Sequence, residues 1–200
     1  MKKRKTALVI VAHPDDETIW MGGMILKNNN WKWTIFSLCR KNDGDRAPKF
    51  KKACRYYGAK GIIGDLDDDI LKPIKMNNII SKIKEFLNEK KFDIIFTHGK
   101  NGEYGHLRHK EIHKAVKKMI KSDELKCKSV YYFDYKPGKD IAPHNPKLKI
   151  PVPNKKAEKN IKLDDKEFND KFKLIMEVYG FKENIFETLS CHKMESFNVR

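Results

Sequence analysis

The feature that most restricts the fold is a continuous apolar segment near the start of the chain, residues 7–12 (Ala-Leu-Val-Ile-Val-Ala). A short run rich in Val and Ile predicts a strand that is buried on both faces, as strands are in a parallel sheet. Together with the basic residues 1–5, the run superficially resembles a secretion signal. However, it is short, and the polar residues 13–17 follow it at once, so we predict a first strand and not a signal peptide.

The rest of the chain alternates between strand and helix patterns. Strands are predicted at 33–38, 61–63, 92–97 and 129–134, and helices at 16–29, 46–57, 77–88, 107–121, 166–179 and 184–189. This alternation predicts an α/β fold with a mostly parallel sheet, and the 200-residue length favours a single domain over residues 1–200. Within the first helix, the pair Gly22-Gly23 predicts a close contact from another element. Residues 136–163 are rich in Pro and Lys, and we expect a long loop or lid there.

The net charge of +16 first suggests a nucleic-acid partner. Of the 43 basic residues, however, 37 are Lys and only six are Arg, the residue favoured for bidentate recognition of phosphate and guanine. We therefore predict no specific nucleic-acid partner. No apolar stretch is long enough for a membrane span, and the four cysteines are widely spaced. We expect a cytoplasmic protein with no membrane anchor and no disulfide framework; the sequence sets no oligomeric state.

Two segments concentrate residues with catalytic chemistry. The first is His13-Pro14-Asp15-Asp16-Glu17, directly after the first strand, and the second is residues 97–109, after the predicted strand at 92–97. Ligands of open α/β sheets bind outside the carboxyl ends of the strands, where both segments are expected to lie. The acidic residues 65–69 lack the spacing of a calcium-binding loop and are interpreted as a polar loop that could rim the pocket.

The spacing in these segments suits a metal ion. Catalytic zinc typically has three protein ligands and an open position for water. His13 and Asp16, three residues apart on a turn, can converge on one ion, and one histidine of the second segment would complete the set. Asp15 would then remain a free carboxylate that can act as a general base. A further histidine nearby could stabilise an oxyanion, and His98 could line the pocket or pack in the core.

The two segments, Ala-His-Pro-Asp-Asp-Glu at 12–17 and Gly-Glu-Tyr-Gly-His-Leu-Arg-His at 102–109, resemble the hallmark motifs of the LmbE-like, or PIG-L, family of zinc-dependent deacetylases. The resemblance extends over roughly residues 6–135 and implies a Rossmann-like α/β sandwich. It implies that His13, Asp16 and His109 bind Zn²⁺, with Fe²⁺ as another option. It also implies that Asp15 is the general base and that His106 stabilises the oxyanion or protonates the leaving amine.

The same resemblance implies removal of an N-acetyl group from an N-acetylglucosamine-type sugar or sugar conjugate, which the basic charge would suit if that conjugate is anionic. The substrate-binding residues are then expected to be Arg46, Tyr104 and His98. Many family members have Pro-Asp where this chain has Leu107-Arg108, so we expect a cation to replace a carboxylate near the metal. Two alternatives remain: a metal-dependent amidase of another amide, such as a thiol conjugate, and a basic nucleic-acid-binding protein with a vestigial site.

Overall fold

The computed structural model describes residues 3–143 and 145–200, so Met1 and Lys2 of the basic leader, and His144, lie outside the described residues. The strands are β1 (Thr6–Val11), β2 (Lys32–Cys39), β3 (Lys60–Leu66), β4 (Ile94–Thr97), β5 (Ser129–Phe133), β6 (Tyr135–Ala142), β7 (Asn145–Pro153), β8 (Lys159–Lys162) and β9 (Met194–Val199). The helices are α1 (Asp16–Lys27), α2 (Arg46–Tyr56), α3 (Met76–Phe86), α4 (Leu107–Lys121), α5 (Asp165–Lys173) and α6 (Phe186–Leu189). A π-helical turn, Leu174–Val178, continues α5. Among the described residues, no helix has the length and apolarity needed to cross a membrane.

A seven-stranded sheet in the order β3-β2-β1-β4-β5-β9-β8 forms the centre of the fold. Strands β1 to β5 pair in parallel, whereas β9 is antiparallel to both β5 and β8. This arrangement confirms the predicted α/β fold with a mostly parallel sheet. The chain order reverses on either side of β1, which pairs with β2 on one edge and β4 on the other. Such a switch point opens a crevice at the carboxyl ends of the two central strands.

The alternating side chains of β1 supply both halves of the core. Ala7, Val9 and Val11 pack into a cluster with α1, α2 and the C-terminal elements, and Leu8 and Ile10 pack into a second cluster with α3 and α4. Successive side chains of a strand point to opposite faces of a sheet. Because both faces of β1 are covered, its apolar residues are continuous and do not alternate with polar ones.

Helix α1 bends at Met21, whose φ of −152° is not helical. The bend frees the backbone N–H groups of Gly23 and Met24, which donate to the carboxylate of Glu195 at 2.8 Å each. Glu195 is fully buried and also accepts a hydrogen bond from the buried Lys171 ammonium at 2.8 Å. A Cβ atom on Gly23 would overlap with the Leu163 side chain. The close contact predicted from the glycine pair is thus present, and it attaches α1 to the C-terminal part of the chain.

Residues 136–163 do not form the expected irregular loop. Most of them form an antiparallel ribbon of β6 and β7, followed by β8, which joins the main sheet. The Pro-rich pattern indicated a loop because proline is excluded from central strands. In a two-stranded ribbon, however, one edge of each strand has no neighbouring strand, so a residue there needs no backbone N–H donor. Pro137 pairs with Pro151 in this ribbon. None of the described residues of 136–163 lines the pocket below, so no lid role follows from their placement.

The Lys171–Glu195 pair provides a test of this architecture. Removal of one member of a buried ion pair leaves an uncompensated charge and typically costs about 3–5 kcal/mol. We therefore expect Lys171→Met to lower the free energy of unfolding by about that amount, measured by urea denaturation. The control is Lys193→Met, which breaks the exposed pair with Asp165 and should change stability little. Equal effects of the two substitutions would contradict the structural role of the buried pair.

Candidate metal centre and pocket

The two segments with candidate catalytic residues meet at the switch point of the sheet. His13 and Asp16 lie just beyond β1, and the loop after β4 leads through His98 to His106 and to His109 at the start of α4. The parallel pairing of Val9 with Phe96 and Ile10 with Thr97 sets the two strand ends side by side. Residues 85 or more positions apart in sequence are therefore close neighbours in space.

Three potential ligand atoms form a nearly equilateral triangle. His13 Nδ1 lies 3.3 Å from Asp16 Oδ2 and 3.3 Å from His109 Nε2, and the latter two atoms are 3.4 Å apart. Donor atoms bound to one tetrahedral zinc ion at about 2.0–2.1 Å lie about 3.3–3.4 Å from one another. The spacing and the N₂O donor chemistry of His13, Asp16 and His109 therefore fit a divalent metal ion with an open coordination position.

The remaining polar side-chain atoms of His13 and Asp16 are each held by a second side chain. His13 Nε2 lies 3.0 Å from Asp68 Oδ2, and Trp20 Nε1 donates to Asp16 Oδ1 at 2.8 Å. Burial alone would lower the pKa of His13, but hydrogen bonds to Asp16 and Asp68 outweigh it and raise that pKa to about 10. A metal ion would compete with this proton, because only the unprotonated nitrogen binds a metal. Such outer contacts fix the orientation and tautomer of ligating side chains.

Glu103 plays the corresponding role for the second segment. Its buried carboxylate contacts His109 Nδ1 at 2.5 Å and His98 Nδ1 at 2.9 Å, and it accepts the Gly99 N–H at 2.7 Å. Burial alone would raise the pKa of Glu103, but the two histidines outweigh it and lower that pKa to about 2. Burial lowers the pKa of His109. A neutral His109 that donates from Nδ1 to an ionised Glu103 presents the lone pair of Nε2 to the metal position.

Three other groups of potential ligand atoms in the described part of the chain lie within 4.8 Å of one another: His13 with His106 and His109, His13 with Cys39 and Asp68, and Asp16 with His98 and His109. The first contains two residues of the triangle, with His106 in place of Asp16. The second is a poor cation site, because Arg40 Nη2 donates to Asp68 at 2.9 Å and Arg108 Nε lies 3.9 Å from its other oxygen. The third is incomplete, because His98 Nε2 already accepts the Ala12 N–H at 2.9 Å. His13 and His109 thus belong to both arrangements that these contacts leave open.

Asp15 stands apart from the triangle and faces the pocket. Arg46 Nη1 donates to its Oδ2 at 2.7 Å, and its backbone has a φ of 110°, in the left-handed region that side chains avoid. The backbone N–H of Asp15 donates to the fully buried Glu17 at 3.1 Å, which also accepts from Tyr179 at 2.7 Å. Burial and the adjacent Asp16 charge raise the pKa of Asp15 well above its usual value, and Arg46 opposes them. A carboxyl group with a raised pKa is suited to act as a general base.

His106 lies against the same triangle without a hydrogen-bond partner for its buried Nδ1 among the described residues. Its ring centroid is 4.9 Å from that of His13 and 4.6 Å from that of His109. Burial and the rings of His109 and His13 lower the pKa of His106 to about 3. His106 is therefore a neutral imidazole with a spare polar atom beside the metal position.

A pocket of about 220 Å³ opens in front of these residues. It is lined by His13, Pro14, Asp15, Asp16, Ile19, Trp20, Arg40, Asp43, Arg46, Tyr104, Phe186 and Glu187. Arg46 and Tyr104 thus lie where the sequence analysis expected substrate-binding residues. His98 does not: its side chain is fully buried behind the ligands and stacks on His109 with ring centroids 3.8 Å apart. Both ring nitrogens of His98 form hydrogen bonds within the protein. His98 therefore supports the candidate site from the protein interior.

Arg108 also differs from expectation. Its side chain is fully buried and turns toward the loop after β3, where it donates to the carbonyl groups of Asp67 and Lys72 and to the carboxylate of Glu111. The cation expected beside the metal is thus compensated by Glu111, on the next turn of α4.

Sequence reasoning missed the carboxylates that support the histidines. Asp68 was interpreted as part of a polar loop, and Glu103 was given no role. The available signal is chemical: a histidine that binds a metal through one nitrogen needs an acceptor for the other. An acidic residue in each loop at the carboxyl edge of the sheet is a candidate for that acceptor. Which histidine each one meets depends on loop conformation, which the sequence does not reveal.

Several known proteins are similar to this chain in sequence or in fold. A curated relative, an uncharacterized protein of Acanthamoeba polyphaga mimivirus, is 26% identical over 128 residues, which cover 54% of this chain and 55% of that protein. The chain thus matches only about half the length of this relative. Solved structures with the same fold include N,N′-diacetylchitobiose deacetylase from Pyrococcus horikoshii, with a TM-score of 0.66 and 15% identity over 100% of this chain and 85% of that one.

Two further solved structures share the fold over nearly their whole length. One is a triple mutant of a deacetylase of the teicoplanin biosynthetic pathway, with a TM-score of 0.64 and 11% identity over 99% of this chain and 98% of that one. The other is GalB, the 4-carboxy-2-hydroxymuconate hydratase of Pseudomonas putida, with a TM-score of 0.62 and 14% identity over 98% and 95% of the two chains. The fold therefore carries more than one type of reaction.

The family model described as PIG-L, GlcNAc-PI de-N-acetylase, matches residues 8–120. This match covers more than half of the chain and includes both catalytic segments. It confirms the resemblance inferred from the motifs, and the chain belongs to the PIG-L family.

Proposed function

We propose that this protein is a metal-dependent hydrolase that removes an N-acetyl group from an N-acetylglucosamine-type sugar or sugar conjugate. The observation that carries the proposal is the triangle of His13 Nδ1, Asp16 Oδ2 and His109 Nε2, with edges of 3.3–3.4 Å, beside a pocket that contains the free carboxylate of Asp15. Membership in a family described as a de-N-acetylase and the deacetylases among the structural neighbours support the reaction class. A vestigial site would not be expected to keep all three ligand positions.

His13, Asp16 and His109 would hold the ion, with Zn²⁺ as the proposed metal and Fe²⁺ as the alternative, since an N/O ligand set suits both. A divalent ion held there would supply Lewis-acid chemistry and would lower the pKa of a bound water molecule to about 7. Asp15 accepts the proton of the attacking water, and Arg46 holds its carboxylate in place through the 2.7 Å ion pair. The strained backbone of Asp15, fixed by Glu17, turns this carboxylate toward the pocket and away from the ligand triangle.

His106 completes the reaction cycle. As water attacks the acetyl carbon, negative charge develops on the carbonyl oxygen, and the N–H of neutral His106 can stabilise it. On collapse, the C–N bond breaks and the nitrogen takes up the proton that Asp15 accepted from the attacking water, which releases acetate and a free amine. Tyr104 and Phe186, with ring centroids 4.7 Å apart, form an aromatic wall of the pocket. We propose that this wall packs against the sugar ring, and a pocket of about 220 Å³ suits one ring better than a polymer.

The division of roles between two adjacent carboxylates can be tested directly. We expect Asp15→Asn to lower kcat by at least about 100-fold while the protein still binds zinc, because Asp15 lies outside the ligand triangle. Asp16→Asn removes a charged ligand and should lose zinc as well as activity. Metal content measured by mass spectrometry on both variants decides the matter. Equal loss of zinc from the two variants would contradict this assignment.

The histidine that completes the site can be tested in the same way. His109→Ala should lose zinc, because Nε2 of this residue is one corner of the triangle. The matched control is His113→Ala, one turn further along α4, where the side chain contacts the backbone carbonyl of His98 instead. Zinc content that is equal in His109→Ala and the wild type would remove His109 from the ligand set.

The substrate class calls for an acetate-release assay. We expect the zinc-loaded protein to release acetate from N-acetylglucosamine derivatives, and to lose this activity on treatment with a chelator and regain it with added Zn²⁺. Amides of thiol conjugates serve as the competing substrates. Turnover of these amides without acetate release from any amino sugar would favour the amidase alternative over the proposed deacetylase.

A further inference from the structure

We infer that Arg108 is a positioning residue for the metal site, acting through Asp68 and the loop that carries it. The inference rests on the metal site of the proposed function. It concerns a buried guanidinium that has no contact with the pocket and no role in the proposed reaction. It also explains why this chain has an Arg between the two histidines of its second motif.

Arg108 is anchored to the loop that joins β3 to α3, here called the Asp68 loop and defined as residues 67–75. Its Nε donates to the carbonyl oxygen of Asp67 at 2.7 Å, and its Nη1 donates to that of Lys72 at 2.9 Å. Nη1 also contacts Glu111 Oε2 at 2.6 Å, and the other oxygen of Glu111 accepts the Ile74 N–H at 2.8 Å. One buried ion pair on α4 therefore holds the backbone of the loop at three points.

Besides these bonds, the hydrogen bond from Arg40 to Asp68 at 2.9 Å and the packing of Ile74 against the core hold the Asp68 loop. Its described residues form no helix or strand. Ile70 and Leu71 at its outer turn are 65% and 47% exposed, and Leu71 has a φ of 45°. Apolar side chains that point to solvent contribute little to the order of a loop. The order of the loop therefore depends on contacts made from its inner side, among which the Arg108–Glu111 pair is fully or largely buried.

The loop matters to the metal because of Asp68. The carboxylate of Asp68 lies 3.0 Å from His13 Nε2, on the side of the ring opposite to the ligand triangle. When it accepts a hydrogen bond from Nε2, the lone pair of His13 is on Nδ1 and points at Asp16 and His109. Loss of this type of outer contact typically lowers metal affinity by about 10–100-fold. Arg108 affects the same quantity, because it binds the loop backbone on both sides of Asp68 and its Nε lies 3.9 Å from Asp68 Oδ1.

The experiment is a double-mutant cycle on metal affinity, which needs no substrate. Zinc affinity is measured by competition with a chromophoric chelator for the wild type, Arg108→Met, Asp68→Ala and the double variant, at a temperature at which all are folded. We expect each single substitution to lower affinity by about 10-fold or more. Because Arg108 acts through Asp68, the double variant should bind zinc no more weakly than Asp68→Ala alone.

The controls separate positioning from general loss of stability. Met119→Ala creates a cavity at the other end of α4 and should lower the Tm without changing zinc affinity. Glu111→Gln keeps an acceptor for the Ile74 N–H but weakens the hold on Arg108, and it serves as the test if Arg108→Met does not fold. The visible absorption of bound Co²⁺ provides a second readout, because a displaced His13 would change the tetrahedral spectrum.

The outcomes distinguish this inference from the function on which it rests. Tight zinc binding by the wild type with unchanged affinity in Arg108→Met or Glu111→Gln would overturn the role of Arg108 and leave the proposed function intact. Fully additive losses in the double variant would also overturn it, because Arg108 would then act by another route. Absence of zinc binding by the wild type would overturn the proposed function and this inference together.

Discussion

The parallel pairing of β1 with β4 determines where every part of the candidate site can lie. Each strand ends at the carboxyl edge of the sheet, so the turn after β1 and the loop after β4 must leave the sheet side by side. The pairing is stable because β1 is apolar on both faces and contributes to both halves of the core. A polar residue within this strand would lose hydrophobic burial and would also disturb the register that sets His13 opposite the second segment.

Charge balance is the second constraint on the site. Asp16, Asp68 and Glu103 are buried near one another, and isolated buried carboxylates are strongly unfavourable. Asp68 is compensated by His13 and Arg40, and Glu103 by two histidines. Asp16 accepts hydrogen bonds from Trp20 and from the His13 backbone, and its Oδ2 lies 3.3 Å from Nδ1 of the His13 ring. A divalent cation within the triangle would therefore take the place of the His13 proton beside the Asp16 carboxylate.

The sequence predicted the elements that follow strict periodicity or a specific motif. Local sequence patterns of this kind predicted the buried first strand, the helices α1 to α4 and the parallel sheet. The ribbon of β6 and β7 was missed because prolines are read as strand breakers, whereas a two-stranded ribbon accepts them at its free edges. Likewise, the roles of Asp68, Glu103 and Arg108 depend on which loops meet in space. A buried Arg paired with Glu111 has the same sequence signature as an exposed helical pair, i and i+3, so only the packing of α4 against the Asp68 loop distinguishes them.

The placement of the basic residues bears on the role of the +16 net charge. The cations in the pocket wall, Arg40 and Arg46, are arginines and are paired with Asp68 and Asp15. Within the described residues, an anionic conjugate would thus meet no unpaired arginine or lysine in this wall. The lysines that make up the excess positive charge lie outside this wall, where dissolved salt screens them. There they influence how fast charged molecules approach the protein more than which of these molecules it binds. In the proposed function, selectivity then depends on the aromatic wall and on the fit of one acylated ring beside the triangle, because these features would contact the substrate directly.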